Sequence, residues 1–308
     1  MLNLFITPKC DLGCDYCFVA PDFGGAKKDL ARAEFDLLLA WLEETGAYSL
    51  GLLGGEPTLH PDLFYFLERL GAKGIAPVVF TNGLFPHDFC EPLAGLTKGL
   101  VVNYNDPSAL KPEGYALREK NLDCLANLGA KLTLAKNFAP GRMDYDYLLK
   151  AAARYGVKTI RCDLARPRAD GRNNHFIGES LKAAAKVLAA FVIKSFLAGI
   201  EAGVDCCLPA CFFSPRELSF LEVEPRPLRG VCLPSLDILP DLSVIHCWPL
   251  KDIQAPKATV FDGETDLLGH FAQEVVSLRA QRRATCQEPC RPAFSCQGGC
   301  LSPSWSTF

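Results

Sequence analysis

The string Cys10-Asp11-Leu12-Gly13-Cys14-Asp15-Tyr16-Cys17 sits directly behind an apolar run, Leu2 to Ile6. The run reads as a strand, so three thiols fall on the loop at its carboxyl end. Three thiolates on one short loop hold three corners of a four-iron cluster. The fourth iron then has no protein ligand, and a small molecule can bind and be reduced there. A structural metal knot closes all four positions instead. Zinc sites usually pair cysteines in twos, so this spacing disfavours the alternative, a zinc knuckle completed by a distant residue.

Outward from that loop, strand-like and helix-like segments alternate. After 2–7, strand candidates fall at 48–53, 77–81, 100–104, 132–136 and 159–164. Between them, Phe35, Leu38, Leu39 and Leu42 share one helical face, with Asp29 as the expected cap and Gly46 as the stop. Leu117, Cys124, Leu125 and Leu128 repeat the pattern before Gly129. Tyr147, Leu148, Ala151, Ala152 and Tyr155 repeat it before Gly156. Six strand–helix repeats predict an α/β chain whose parallel sheet curves into a partial (β/α)6 barrel. Ligands of such folds gather at the carboxyl ends of the strands. The cysteine loop, Gly54-Gly55-Glu56-Pro57, Thr81-Asn82-Gly83 and Asn103-Tyr104-Asn105 all fall at such ends.

A long helix over 180–202 closes this part. Beyond it prolines and cysteines dominate, and only 267–282 reads as a further helix. The expected division is a barrel domain at 1–203 and a small, cysteine-rich, loop-rich domain at 204–308, held by metal rather than by a large apolar core.

Bulk properties narrow the function. Of 308 residues, 49% are apolar and 22% charged, with a net charge of -3. This is a globular composition that favours neither a nucleic-acid nor a membrane-surface partner. The apolar stretch near 188–200 is broken by Lys194 and Ser195 and cannot span a bilayer. The N-terminus enters its strand with no basic n-region or cleavage site, which predicts a cytoplasmic location. There, fifteen cysteines favour metal or iron–sulfur binding over disulfides. Cys90, Cys124 and Cys162 lie on or near regular elements and read as buried thiols. His60, in a loop, reads as structural.

Cys10-x3-Cys14-x2-Cys17, with the strand order over most of residues 1–170, resembles the radical S-adenosylmethionine (SAM) superfamily. The resemblance implies a 4Fe-4S cluster whose open iron chelates the amino and carboxylate groups of SAM. One electron then splits a carbon–sulfur bond and gives a 5′-deoxyadenosyl radical. It places Tyr16 beside the adenine, and assigns the amino group of the methionine moiety to Gly54, Gly55, Glu56 and Pro57. The residue types agree: glycines admit close backbone approach, and carbonyls with a nearby carboxylate suit a cation. An ordinary strand-to-helix turn is the rival reading. Asn103 and Asn137, ending the fourth and fifth strands, become candidates for the ribose and carboxylate, with turn and cap roles as the alternative. Relatives often carry Ser and then Asp-Gly on the fourth strand, where this chain has Asn103-Tyr104-Asn105-Asp106. Arg161, Arg166, Arg168 and Arg172 crowd the end of the sixth strand. A guanidinium forks well onto a carboxylate, and Arg166 is the choice by position for the methionine carboxylate or a substrate acid. For the other three, a solvated basic loop is at least as good a reading.

Near the C-terminus, Cys286-x3-Cys290-x5-Cys296-x3-Cys300, with Gly298 and Gly299, resembles the SPASM extension of that superfamily, which carries auxiliary 4Fe-4S clusters. Cys232-x14-Cys247 fits the extension's first pair. The chain departs from the pattern in three ways: a first gap of three residues rather than two, Leu242 where a glycine is usual, and no terminal cysteine after Cys300. Two closed clusters need eight thiolates. These six, with Cys206 or Cys207 and with Cys211, make up that number. One cluster plus a zinc, or one cluster with an open iron, are the alternatives.

The resemblance implies an enzyme that abstracts hydrogen from a substrate carbon. The expected substrate is a ribosomally made peptide that is crosslinked or oxidised, with a small molecule as the alternative. No room for a leader-binding domain is expected ahead of Cys10, so a peptide would come with a separate carrier or bind the barrel mouth directly. A flavodoxin or ferredoxin would supply electrons. Two rivals are a non-catalytic iron–sulfur carrier, which leaves the Gly54–Pro57 string unexplained, and a zinc-rich binding module.

Overall fold

A computed structural model describes residues 2–19, 28–168, 171–221, 231–286 and 296–302. Along the chain the elements are β1 (Leu2–Thr7), α1 (Arg32–Glu44), β2 (Ser49–Gly54), α2 (Leu63–Ala72), β3 (Ala76–Thr81), α3 (Cys90–Leu96), β4 (Gly99–Asn103), α4 (Pro112–Asn127), β5 (Leu132–Phe138), α5 (Asp146–Arg154), β6 (Thr159–Leu164), α6 (Gly178–Leu197), β7 (Glu201–Val204), α7 (Pro215–Leu221), β8 (Leu236–Ile238), β9 (Ser243–Ile245), β10 (Gln254–Lys257) and α8 (Glu264–Ala284). Among the described residues, no helix is long and apolar enough to cross a membrane.

The chain forms two compact units. The first holds residues 1–13, 19–133 and 234–272; the second holds 14–18, 134–233 and 273–308. In the first, β1 to β4 pair in parallel and in sequence order. β8 extends this sheet in parallel beyond β1, and β9 and β10 follow it as antiparallel strands. The layer is fixed by apolar burial. Leu2, Leu4, Phe5 and Ile6 of β1 are buried, and Phe5 packs on Trp248, with ring centroids 5.1 Å apart. Phe35, Leu38, Leu39, Trp41 and Leu42 of α1 are buried on one face, and the Trp41 indole donates to the Phe261 carbonyl at 2.7 Å. In the second unit β5, β6 and β7 pair in parallel.

The six strands expected from the pattern all form, but four details differ. α1 starts at Arg32 without a side-chain cap; Asp29 instead accepts from the Thr7 hydroxyl (2.7 Å) and the Lys9 ammonium (2.6 Å). The helix expected at 180–202 stops at Leu197, because Gly199 takes a φ of 71° and turns the chain into β7. Residues after 204 are not uniformly loop-rich, since they supply β8, β9 and β10. Finally, the compact units cut across the division at residue 203: 234–272 pack with the first unit because β8 pairs with β1.

Candidate active site and cysteine clusters

In the first unit, the loop after β1 lies against the loop after β2. The Gly55 amide donates to the Thr7 carbonyl (2.8 Å) and the Glu56 amide to the Lys9 carbonyl (2.7 Å). A Cβ on Gly54 would come within 2.6 Å of the Thr7 oxygen, and one on Gly55 would overlap the Lys9 carbonyl. The two glycines therefore let two backbones touch. Glu56 is buried, and its carboxylate accepts from the Thr58 amide (3.2 Å) and hydroxyl (2.7 Å), the Thr81 hydroxyl (2.8 Å) and the Asn82 amide (2.7 Å). Burial pushes its pKa up, and these donors oppose the shift. The carboxylate thus ties the end of β2 to the end of β3. Asn82 reaches on to the Asp11 carboxylate (2.7 Å). Cys10, exposed, is held between these two anchors, Lys9 and Asp11. Asn103, ending β4, accepts from the Asn105 amide. His60 is structural: its ring bridges the Leu30 carbonyl and the Asp62 amide.

In the second unit, Cys14 and Cys17 are half-buried, and the Cys17 amide donates to the Cys14 carbonyl (3.0 Å). Burial raises the Cys14 thiol; a hydrogen bond from Tyr16 lowers it, Cys17 raises it and Arg142 lowers it. Tyr16 is buried against Ala139 and Ala165, just past the ends of β5 and β6. Asn173 clamps this turn by donating to the carbonyls of Tyr16 (3.0 Å) and Arg166 (2.6 Å). The Asn174 amide donates to the Asp15 carbonyl (2.7 Å). Sequence reasoning missed both asparagines, because each acts through local loop geometry that has no motif. Asn137 pairs in register with Asp163 across β5 and β6. Arg166 is buried, forms an ion pair with Asp163, and points one N–H at the Cys300 sulfur (3.7 Å).

The second unit also gathers thiols. Cys232 hydrogen-bonds with both Cys207 and Cys300, and its pKa is pushed up to about 11, first by Cys207. Cys207 and Cys300 are buried. Cys206 faces the Asp163 carboxyl instead, so the structure places its neighbour Cys207 in the cluster. Main-chain amides aim at sulfur: Ala210 and Gly298 donate to Cys296, and Ser302 donates to Cys300, each at 3.4 Å. Gly298 and Gly299 have φ of 87° and 84°; a Cβ there would press within 2.5 Å of the Arg282 side chain and within 2.8 Å of Pro209. That space is needed because the buried Arg282 guanidinium donates to the carbonyls of Cys300 and Ser302. Cys211 and Cys286 are exposed, and Cys286 contributes to the field at Arg282. Cys247 lies in the first unit after β9, with a φ of 73°. Cys290 falls outside the described residues.

These donor sets fit iron–sulfur clusters. The ligand atoms are thiols, the charges nearest Cys300 include the guanidinium groups of Arg166 and Arg282, which offset an anionic cluster, and amide N–H groups point at sulfurs, as they do where a protein tunes such a centre.

Residues 4–109 match the Radical SAM superfamily. Members of that superfamily bind a 4Fe-4S cluster and SAM. The S-adenosylmethionine-dependent nucleotide dehydratase of Selenomonas ruminantium is 26% identical over 147 residues, 45% of this chain and 52% of that protein. The chain thus spans about half the length of this curated relative. The solved structure of native anSMEcpe with bound AdoMet aligns at a TM-score of 0.69 and 16% identity, covering 97% of this chain and 89% of that one. Streptococcus suis SuiB bound to precursor peptide SuiA aligns at a TM-score of 0.62 and 17% identity, covering 87% and 63%. At these identities the likeness is one of fold, and this chain shares it.

Proposed function

We propose that the chain is a radical SAM enzyme that modifies a peptide, with Cys10, Cys14 and Cys17 holding three irons of a 4Fe-4S cluster. The reading rests most on one observation: the start of the cysteine loop is locked to the end of β2 by two backbone bonds and to the end of β3 through Asn82 and Glu56. A bare iron-carrying loop has no use for such precise anchoring; a loop that must present a ligand to strand ends does. When bound, the cluster supplies one electron that cleaves SAM to a 5′-deoxyadenosyl radical, which takes hydrogen from a substrate carbon.

The chain's own residues hold and orient. The carbonyls of Gly54 and Gly55 receive the amino group of the methionine moiety, while Glu56 keeps that loop in place through four donors. Tyr16 lines the adenine side from its buried position. Asn103 and Asn137 offer amides to the ribose and carboxylate. Arg166 serves the second cysteine group, by its reach to Cys300, in place of the methionine carboxylate. Cys207, Cys232, Cys286, Cys290, Cys296 and Cys300 carry auxiliary iron–sulfur chemistry of the SPASM type, with Cys206, Cys211 and Cys247 as further candidate ligands.

The peptide reading draws support from the fold shared with SuiB, solved with its precursor peptide. A nucleotide substrate is the second reading, favoured by the similarity to a nucleotide dehydratase. The test uses iron-loaded protein with dithionite and SAM, followed by mass spectrometry. We expect 5′-deoxyadenosine from the wild type and none from Cys14→Ala. Full iron loading with no 5′-deoxyadenosine would hand the case to an electron carrier. Deuterium transfer from a labelled peptide or nucleotide into 5′-deoxyadenosine then decides the substrate class.

A further inference from the structure

Outside these sites, the first unit gathers three soft ligands behind β3 and β4. His87 and Cys90 are three residues apart at the start of α3, and Asn121 and Cys124 are three apart on α4. That spacing puts each pair on one face of a helical turn. One ligand atom from each of His87, Cys90 and Cys124 lies within 4.8 Å of the other two. The Cys90 sulfur is 3.7 Å from His87 Nδ1. An imidazole nitrogen and a thiolate sulfur on one tetrahedral zinc, with bonds of about 2.0–2.1 and 2.3 Å, sit about 3.5–3.6 Å apart, close to that separation. A disulfide would need sulfurs about 2.05 Å apart and has no use for the imidazole.

The surroundings are rigid. Asn121 is fully buried, and its Nδ2 donates to the carbonyls of Gly83 (3.0 Å) and Phe85 (2.8 Å). Its Oδ1 is therefore fixed as an acceptor, 2.9 Å from His87 Nδ1 and 3.7 Å from the Cys90 sulfur. Cys90 is buried, and its sulfur also lies 3.8 Å from the Asn121 carbonyl.

We propose that His87, Cys90 and Cys124 bind one zinc ion, with a water as fourth ligand on the less buried side of His87 and Cys124. Binding releases two thiol protons to solvent, and the imidazole gives up its Nδ1–H bond to Asn121 Oδ1, carrying its proton on Nε2 so that Nδ1 can ligate. The resulting site, one dication with two thiolates, is neutral and suits burial. Two thiolates and an imidazole are a zinc donor set, and they are too few thiolates for a closed iron–sulfur cluster. The ion would staple α3 to α4 beneath residues 83–85, next to Asn82, which holds Glu56 and Asp11.

The test is metal analysis of the full, iron-loaded chain after anaerobic exposure to zinc and desalting. The expected result is one more zinc per chain in the wild type than in Cys124→Ser or Cys90→Ser, with iron unchanged in both. Zinc X-ray absorption on the wild type, which needs no variant, should show two sulfurs and one imidazole nitrogen. Equal zinc in wild type and Cys124→Ser, a coordination shell of four sulfurs, or a Cys90–Cys124 disulfide in anaerobically isolated protein would each overturn the proposal.

Discussion

The two units hold their cysteines by opposite means. In the first, Cys10 is exposed on a loop whose position is set by protein alone: a buried carboxylate, paired amides and a sheet backed by apolar helices. In the second, Cys207, Cys232 and Cys300 lie together under two buried guanidiniums, with few regular elements around them. Burying two guanidiniums beside thiols is costly, and ionised sulfurs would offset their charge alongside the Asp163 carboxylate that already pairs with Arg166. The first arrangement is preorganised for a ligand. The second, on the proposed function, would be completed by its metal.

Removing the metal should break this contrast most visibly. Chelation of iron is expected to strip amide-exchange protection from 205–221 and 296–302 while 2–13 and 49–103 keep theirs. Uniform loss across both units would erase the distinction. Next in size, Arg282→Met leaves the Cys300 and Ser302 carbonyls without their charged donor, a loss of about 1.5–3 kcal/mol for hydrogen bonds of this kind. It should appear as a lower urea midpoint and reduced iron content, with the exchange pattern of β1 to β4 unchanged. In the first unit, Gly55→Ala sets a methyl against the Lys9 carbonyl. Overpacking of this sort costs about 1–3 kcal/mol, and here it should show chiefly as impaired 5′-deoxyadenosine formation at full iron loading.

How much of this was legible beforehand follows the same division. β1 to β6 were readable because each is five to seven residues long and followed by a helical apolar face. β8 and β9 are three residues each, below the length at which alternation can be recognised, and β7 hides behind a helix that only Gly199 ends. The Gly54–Pro57 string was legible as a motif, but Glu56 as the brace between two strand ends was not, since its donors Thr81 and Asn82 lie 25 and 26 residues away. Cys207 was indistinguishable from Cys206 in the sequence; only the turn after β7 sends one to Asp163 and the other to Cys232.

The smallest predicted effect concerns His60. Burial holds its pKa below the ordinary 6.5, so on acidification the unfolded chain takes up a proton that the folded one refuses. Stability should therefore fall as pH drops below about 6.5, and His60→Gln should flatten that slope in denaturation measured between pH 7 and 5.

The most direct test of an iron left open by three cysteines is electron paramagnetic resonance of the reduced, iron-loaded chain before and after SAM is added. One cluster signal should shift on addition in the wild type, and that response should vanish in Cys14→Ala while the remaining signals persist. A fully loaded, reduced wild-type protein whose spectrum ignores SAM would contradict it.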